Sequence, residues 1–217
     1  MNSVAVITAK RFPAAKQRMA GGVPEERRLA LVEAMLGDVL EAVTGARQVN
    51  FTVVVTGEVA AADLAAGHGA EVIHDPEDAG HIGAAELGIE RAIELGAECV
   101  ILLPGDCPLL EAREIDSLLT GIPEKFVTVV PDRHGTGTNA LVLRPPDAIK
   151  PAFGEGSCQR HLRLARDAGL PHDTEEVAGL ALDLDTPADI VALTTKIEMV
   201  RATGGNPAPR TAAVLGI

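Results

Sequence analysis

Aromatic residues and positive charge are the two things this sequence has least of. It contains no tryptophan, no tyrosine and four phenylalanines among 217 residues, so it has no platform of rings on which the bases of a single strand could stack. Lysine and arginine number 19 against 31 aspartates and glutamates, for a formal charge of −12. Because such a charge repels polyanions, the composition argues against long nucleic acids and anionic membrane surfaces as partners.

Cysteine is also scarce. Cys99, Cys107 and Cys158 have neither the spacing of metal ligands nor the even number of a disulfide framework, which favours a reducing, cytoplasmic environment. The apolar run at residues 4–7 is too short for the core of a signal peptide and is soon followed by Lys10. No apolar stretch reaches the ~20 residues of a membrane span.

Short apolar runs and helical patterns alternate along most of the chain. Strands are predicted at residues 4–8, 51–56, 71–73, 99–103, 126–130, 140–143 and 181–184. Helices are predicted at residues 24–44, 59–66, 83–95, 111–119, 157–168 and 187–200. This alternation favours a mostly parallel sheet with right-handed crossovers, and therefore a three-layer α/β/α fold.

The second half of the chain departs from that alternation. A loop rather than a helix joins the strands at 126–130 and 140–143, which predicts a small antiparallel insertion around residues 126–157. Residues 1–202 show no internal repeat or domain boundary and are interpreted as one domain. The glycines and prolines of residues 203–217 predict a mobile tail.

Acidic residues follow two of the predicted strands. Asp106 lies in a Pro-Gly-rich turn after the strand at 99–103, at the edge where open α/β sheets bind ligands. Asp183 and Asp185 lie at the end of the strand at 181–184. Two such carboxylates, together with substrate phosphates, are typical ligands of Mg²⁺. The alternatives are a turn aspartate that bonds its own backbone, and for Asp185 a role in capping the following helix.

Basic residues concentrate in the loop after the first strand. Lys10, Arg11, Lys16 and Arg18 fall within nine residues of one another, which is typical either of a clamp for a triphosphate or of a solvated loop. The sequence has no GxxxxGK[ST] stretch and no GxGxxG after the first strand. A P-loop is therefore excluded, and a dinucleotide dehydrogenase is disfavoured.

Two loops are rich in glycine and hydroxyl residues. Residues 135–139 read GTGTN and residues 154–157 read GEGS, with Ser157 predicted as the N-cap of the next helix. Free amides at a helix start are able to bind an anion, although ordinary turn chemistry explains the same residues. His134 and His161 are interpreted as surface or packing residues.

These motifs together resemble the CofC/FbiD family, the phospholactate or phosphoenolpyruvate guanylyltransferases of coenzyme F420 biosynthesis, within the MobA-like nucleotidyltransferases. The similarity runs from residue 4 to residue 195. It is most specific in PDRHGTGTNAL at residues 131–141 and FGEGS at residues 153–157. The resemblance implies a Rossmann-like nucleotidyltransferase fold. It also implies transfer of GMP from GTP to the phosphate of a small phosphorylated carboxylic acid, with Mg²⁺ as the cofactor.

The resemblance assigns roles to individual residues. It implies catalytic roles for Lys16, Arg18, Asp106 and Asp185, with Asp106 and Asp185 as the metal ligands. It implies nucleotide contacts from Ala9, Lys10, Lys16, Gly80 and Asp106. It implies acceptor contacts from Thr138, Asn139, Gly154 and Ser157. Phosphoenolpyruvate ranks first as acceptor and 2-phospholactate second, followed by 3-phosphoglycerate. The downstream F420-precursor transferase and a second copy of the chain are the expected protein partners.

One stretch departs from the family pattern. A Gly-Leu-Asn-x-Ala sequence is usual before the central helix, whereas residues 80–85 read GHIGAA. Three other functions stay open on the residues alone. They are a molybdopterin- or sugar-type nucleotidyltransferase, a GT-A glycosyltransferase with residues 183–185 as its DxD motif, and a non-catalytic nucleotide-binding or partner-binding protein.

Overall fold

The computed structural model describes residues 1–12, 23–75 and 80–217. Within these residues seven strands form one sheet: β1 (Ser3–Ala9), β2 (Phe51–Thr56), β3 (Glu71–His74), β4 (Cys99–Pro104), β5 (Phe126–Pro131), β6 (Thr138–Arg144) and β7 (His172–Thr174). The helices are α1 (Glu25–Gly45), α2 (Val59–Gly67), α3 (Gly80–Glu94), α4 (Ala112–Leu119), α5 (Ser157–Asp167), α6 (Pro187–Arg201) and α7 (Pro209–Leu215).

The sheet is mixed but mostly parallel. Its strand order is β3-β2-β1-β4-β6-β5-β7, and β6 runs antiparallel to both of its neighbours. The remaining pairs are parallel. The predicted antiparallel insertion is therefore confirmed, and it enters the middle of the sheet.

Alternating strand residues supply two apolar layers. In β1, Ala5 and Ile7 face one core together with α1, α4 and α6, whereas Val4 and Val6 face the other core together with α3 and α5. All four side chains are fully buried. Because successive side chains of a strand point to opposite faces, the uninterrupted apolar run at residues 4–7 is buried on both sides of the sheet. The predicted three-layer fold is confirmed.

The N-cap residue predicted from the sequence is found at the start of α6 but not at the start of α5. Thr186 caps α6, Pro187 opens it, and Asp189 completes the capping box. By contrast, Ser157 is the first residue of α5, and Gly156, with a φ of 68°, occupies the N-cap position. The predicted capping role of Ser157 is wrong, since the left-handed Gly156 turns the chain into the helix instead.

The strand predicted at 181–184 is wrong. Those residues form no strand in the described part of the chain, and β7 at residues 172–174 pairs with β5 instead. Leu182 and Leu184 are nevertheless buried in the core shared with α1. The alternation of leucine and aspartate therefore indicates burial and not a strand. The segment is irregular: its leucines pack against the core, but its backbone does not pair with the sheet.

The C-terminal segment, which was predicted as a mobile tail without a helix, contains α7. The Asp38 carboxylate on α1 accepts hydrogen bonds from the backbone amides of Arg210, at 3.0 Å, and Thr211, at 2.9 Å. Thr211 and Ala212 are fully buried. A buried carboxylate thus supplies the N-terminal partners that the sequence of α7 does not. No helix in the described ranges is long and apolar enough to cross a bilayer.

Candidate active site at the carboxyl edge of the sheet

A cleft of about 640 Å³ opens at the carboxyl edge of β1 and β4. These strands are parallel neighbours, with Thr8 opposite Pro104, so the residues that follow them emerge side by side. β6 is antiparallel to β4, with Leu141 opposite Leu102. Its first residue, Thr138, therefore lies at the same edge. Because β6 runs in the opposite direction, it brings residues of the second half of the chain to the carboxyl edge of β1 and β4.

Most of the predicted site residues meet in this cleft. The described residues that line it include Lys10, Asp106, Thr138, Asn139, Gly154, Ser157, Asp183 and Asp185. Ala9 lines an adjoining cavity of about 210 Å³ together with Lys10, Asp106 and Asp185. Gly80 lies beside Ala9 and Lys10 in a third, small cavity. Lys16 and Arg18 lie outside the described residues.

The acidic turn before α6 is held in place by Asp189. Its Oδ2 accepts hydrogen bonds from the backbone amides of Asp185, at 2.9 Å, and Thr186, at 2.7 Å. Its Oδ1 accepts a bond of 2.6 Å from Nη2 of Arg133, which follows β5. Burial raises the pKa of Asp189, but the hydrogen bonds from Arg133, Thr186 and Asp185 outweigh that effect and leave the pKa below its ordinary value. Asp189 stays ionised and fixes the backbone beside Asp185.

The carboxylates at this end have the chemistry of a Mg²⁺ site completed by substrate. Asp106 and Asp185 line both the main cleft and the adjoining cavity, whereas Asp183 lines only the cleft. Within residues 1–12, 23–75 and 80–217, no cluster of three or more metal-ligating side chains forms by itself. Since Mg²⁺ is usually held by one or two carboxylates plus phosphate oxygens and water, these residues fit the ion.

The loop between β5 and β6 is shaped by Asp132. Its Oδ1 accepts hydrogen bonds from the amides of His134, at 3.1 Å, and Thr136, at 2.9 Å. A Cβ atom at Gly137 would lie 2.7 Å from Oδ2 of Asp132, so a larger residue there would displace the Asp132 carboxylate. The Cys158 amide donates to the Thr136 carbonyl at 3.1 Å. The two glycine-rich loops therefore form one wall of the cleft.

The predicted acceptor residues differ in how they are held. The Asn139 side chain donates from Nδ2 to the Leu180 carbonyl at 2.6 Å, so one of its donors is used to anchor the short 3-10 helix at Ala178–Leu180. Ser157 is 1% exposed yet lines the cleft. Gly154 has a φ of 109°, a conformation that favours glycine. Thr138 is half-buried at the start of β6.

Sequence reasoning missed a cluster of three rings beside the cleft. The Phe153 ring lies between His81, at a centroid distance of 4.3 Å, and His161, at 5.2 Å. Burial lowers the pKa of His81; nearby Asp106 raises it and Lys10 lowers it. Burial, with smaller effects of Arg160 and His81, lowers the pKa of His161 to about 4. The only hint in the sequence was at residues 80–85, where the chain departs from the family pattern and has His81, which lines the cleft.

Known proteins match the chain over most of its length. The family model "Guanylyl transferase CofC like" matches residues 3–201. A phosphoenolpyruvate guanylyltransferase of Conexibacter woesei is 43% identical over 196 residues, which cover 89% of this chain and 87% of that protein. A 3-phospho-D-glycerate guanylyltransferase of Phenylobacterium zucineum is 39% identical, over 97% of this chain and 94% of that protein.

Solved structures share the fold at lower identity. A nucleotidyl transferase from Methanothermobacter aligns with a TM-score of 0.65 at 18% identity, over 90% of this chain and 97% of that one. CMP:2-keto-3-deoxy-manno-octonic acid synthetase, solved with CTP, aligns with a TM-score of 0.62 at 17% identity, over 94% and 100%. Rv0371c of Mycobacterium tuberculosis, solved with manganese, aligns with a TM-score of 0.57 at 18% identity, over 88% and 96%.

Proposed function

Because the chain belongs to the family of CofC-like guanylyltransferases, we propose that it transfers GMP from GTP to the phosphate of phosphoenolpyruvate. Relatives named for phosphoenolpyruvate and for 3-phospho-D-glycerate support a small phosphorylated carboxylic acid as the acceptor class. The product is a nucleoside diphosphate ester that the F420-precursor transferase of the same pathway would consume. The family match over residues 3–201 favours this activity over the sugar-type, molybdopterin-type, glycosyltransferase and non-catalytic alternatives.

One observation carries the proposal. A single cleft is lined by Lys10, Asp106 and Asp185, which also line the adjoining cavity, and by the amide- and hydroxyl-rich loops of Thr138, Gly154 and Ser157. The first group suits a nucleoside triphosphate with a divalent cation. The second suits a small anion that carries both a phosphate and a carboxylate. The two anionic substrates would therefore meet in a cleft that is lined both by backbone hydrogen-bond donors and by carboxylates.

The reaction needs positioning more than acid–base catalysis. An oxygen of the acceptor phosphate attacks the α-phosphorus of GTP, the bond to the bridging oxygen of the β-phosphate breaks, and its electron pair leaves with pyrophosphate. The attacking phosphate is already ionised near neutral pH, so no proton has to be removed. In-line placement and charge neutralisation then account for the rate. The unprotonated Nε2 of His161 already accepts a hydrogen bond from the Ala152 amide, so this imidazole does not offer a free nitrogen as a general base.

Asp106 and Asp185 are the residues that would hold Mg²⁺. When bound, the ion neutralises charge on the phosphate oxygens. The hydrogen bond that the Asp189 carboxylate accepts from the Asp185 amide would hold the backbone of that ligand in place before substrate arrives. Preorganised ligands reduce the cost of ordering the site during the reaction.

Cations from the loop after β1 would neutralise the triphosphate. Lys10 lines the cleft, and the segment that contains Lys16 and Arg18 joins Phe12, which lines the adjoining cavity, to Val23. Charge builds on pyrophosphate as its bond breaks, so a cation that contacts it acts on the chemical step as well as on binding. We assign this role to Lys16 and Arg18, with Lys10 behind them.

The test is turnover with defined acceptors. The protein is incubated with α-labelled GTP, Mg²⁺ and, in parallel, phosphoenolpyruvate, 2-phospholactate or 3-phosphoglycerate. Pyrophosphate release and labelled product are both followed. We expect the highest kcat/KM with phosphoenolpyruvate and no turnover without an acceptor. Pyrophosphate release that does not depend on any acceptor, or labelled product only with a sugar phosphate, would contradict the proposal.

A further inference from the structure

His161 is fully buried, and both of its ring nitrogens are hydrogen-bonded. The backbone amide of Ala152 donates to Nε2 at 2.8 Å. Nδ1 lies 3.0 Å from the hydroxyl oxygen of Thr138. The imidazole therefore connects the start of β6 to the loop before α5, and these two elements carry the predicted acceptor contacts.

The Ala152 bond fixes the tautomer of the ring. A backbone amide only donates, so Nε2 must be unprotonated to accept from it, and a neutral imidazole then carries its proton on Nδ1. Protonation of Nε2 would set two N–H groups against each other. The lowered pKa of His161 agrees with a ring that stays neutral at physiological pH.

The tautomer in turn fixes the Thr138 hydroxyl. Nδ1–H donates to the hydroxyl oxygen, so the proton of that hydroxyl must point to another acceptor. Within the described ranges of the chain, the Thr138 side chain has no hydrogen-bond partner besides His161. Thr138 lines the cleft. Its hydroxyl proton is therefore available to a ligand there.

We propose that His161 is a positioning residue that sets the Thr138 hydroxyl as an obligatory hydrogen-bond donor to the anionic acceptor. The proposal rests on the proposed guanylyltransferase function and specifies how its acceptor is recognised. A threonine hydroxyl ordinarily rotates to donate or accept. Here one of those roles is taken by the histidine, so the side chain presents a donor to phosphate or carboxylate oxygens.

Arg160 keeps the imidazole's own support rigid. The Ala152 carbonyl accepts hydrogen bonds from Nε and Nη2 of Arg160 at 3.1 and 2.9 Å. The Glu155 carbonyl accepts from Nη1 at 2.9 Å. Consecutive residues of α5 thus hold both polar groups of Ala152, the amide through His161 and the carbonyl through Arg160. The acceptor loop cannot turn its carbonyls to the cleft without losing these bonds.

Replacing His161 with asparagine or glutamine tests its two hydrogen bonds one at a time. In His161→Asn the side-chain amide is able to replace Nδ1–H towards Thr138, whereas in His161→Gln it is able to replace Nε2 towards Ala152. His161→Phe replaces neither. Thr138→Val removes the hydroxyl and Thr138→Ser retains it. Arg163→Gln, at an exposed position of the same helix, is the control.

The KM for the acceptor should depend on whether a variant keeps a hydrogen-bond donor to the Thr138 hydroxyl. The KM for phosphoenolpyruvate should rise roughly tenfold in His161→Phe, His161→Gln and Thr138→Val, as for one lost hydrogen bond. It should change by less than about threefold in His161→Asn, Thr138→Ser and Arg163→Gln. The KM for GTP should stay constant throughout. The double variant His161→Phe with Thr138→Val should be no worse than Thr138→Val alone, because the histidine acts only through the threonine.

Three results would overturn the inference while the proposed function stands. They are an unchanged acceptor KM in His161→Phe, additive losses in the double variant, and parallel increases in the KM for GTP. A fourth such result is a raised acceptor KM in His161→Asn that accompanies a lowered melting temperature, because the loss would then reflect stability and not the hydrogen bond to Thr138. If the wild type turns over none of the three phosphorylated acids, the proposed function fails, and this inference fails with it.

Discussion

Asp106 is the single residue on which the proposed chemistry depends most. It follows β4 and lines both the main cleft and the adjoining cavity. Asp106→Asn keeps the shape of the side chain and removes the charge that would hold Mg²⁺. We expect kcat to fall by about 10²–10³-fold, as when one transition-state stabilising group is lost. Steady-state kinetics at saturating Mg²⁺ measure this.

Asp183 and Asp185 supply the comparison for that variant. Asp185 lines both cavities and Asp183 only one, so Asp185→Asn should resemble Asp106→Asn, and Asp183→Asn should lose less activity. Full turnover by Asp106→Asn, or by the wild type in excess EDTA, would contradict a metal held here. The reverse order of the two turn aspartates would move the second ligand to Asp183.

His161 makes stability depend on pH. Its pKa in the folded protein is about 4, below the ordinary value of 6.5, so between these values the unfolded chain binds a proton that the folded protein does not. This contribution is complete above pH 6.5 and is lost as the pH falls towards 4. Between pH 7 and pH 5 the free energy of unfolding should drop by about 2 kcal/mol on account of this residue.

Urea unfolding at pH 7 and pH 5 tests this contribution. His161→Asn does not titrate and should show a smaller drop than the wild type. His134→Asn, at an exposed position, should show the same drop as the wild type. Equal pH dependence in the wild type and His161→Asn would mean that the pKa of His161 is the same in the folded and unfolded states.

Residues that act through their own charge were accessible to sequence reasoning, and residues that act through geometry were not. Asp106 follows from an acidic turn after a correctly predicted strand, whereas Asp185 was placed by a predicted strand that does not form; both nevertheless line the cleft. The contacts of Phe153 and of the Arg160 guanidinium depend on the path of residues 152–155, which no local pattern specifies. The proposed catalytic roles of Lys16 and Arg18 remain predictions.

At the scale of elements, α3 lies against β1 at a glycine. A Cβ atom on Gly88 would overlap with Cγ1 of the buried Val6 and lie 3.3 Å from its Cβ. Gly88→Ala should therefore destabilise the protein by about 1–3 kcal/mol, the usual cost of overpacking. Gly67→Ala, at a helical glycine with nothing within 4 Å of an added Cβ, should be neutral or slightly stabilising.

Thermal unfolding of the two glycine variants gives the measurement. The expected order of melting temperature is Gly67→Ala at or above the wild type and Gly88→Ala below both. Equal melting temperatures for Gly88→Ala and the wild type would show that α3 does not pack this closely on β1.

Helix α7 depends on one side chain of α1. Asp38 accepts from two amides at the start of α7, so Asp38→Ala leaves both donors without their partner and should cost about 1–3 kcal/mol. Glu41 on the same helix only forms an exposed ion pair with Arg210 at 3.8 Å, and Glu41→Ala should cost no more than about 1 kcal/mol. Denaturant unfolding of both variants checks the difference, and equal losses would contradict the capping role.

Helices and strands were predictable where the pattern of apolar residues extends over several residues. Six of the seven strands and α1 to α6 lie where the apolar patterns indicated them. β7 was missed because its three residues, His172–Thr174, are polar and half-buried or exposed. The segment at 181–184 was misassigned because its leucines are buried without pairing. α7 was missed because its N-terminal partner is 172 residues away in sequence.

At the scale of the whole molecule, the sheet joins two chemically different halves. β1 and β4 carry Lys10 and Asp106, and β6 carries Thr138 to the same edge. The parallel half and the inserted antiparallel strand were both predictable from the order of apolar runs. The placement of β6 directly beside β4 was not, because residues 126–144 by themselves would also fit at the edge of the sheet.

The reversed direction of β6 has an evolutionary consequence. Because β6 returns between β4 and β5, every proposed contact to the acceptor comes from one uninterrupted stretch, residues 131–161, while the proposed nucleotide and metal contacts come from outside it. Acceptor preference can therefore diverge by mutation of a single short cassette, provided that Arg133, which holds Asp189 beside the metal ligand, is retained. A chimera that exchanges this cassette between two guanylyltransferases should carry the choice of phosphorylated acid with it.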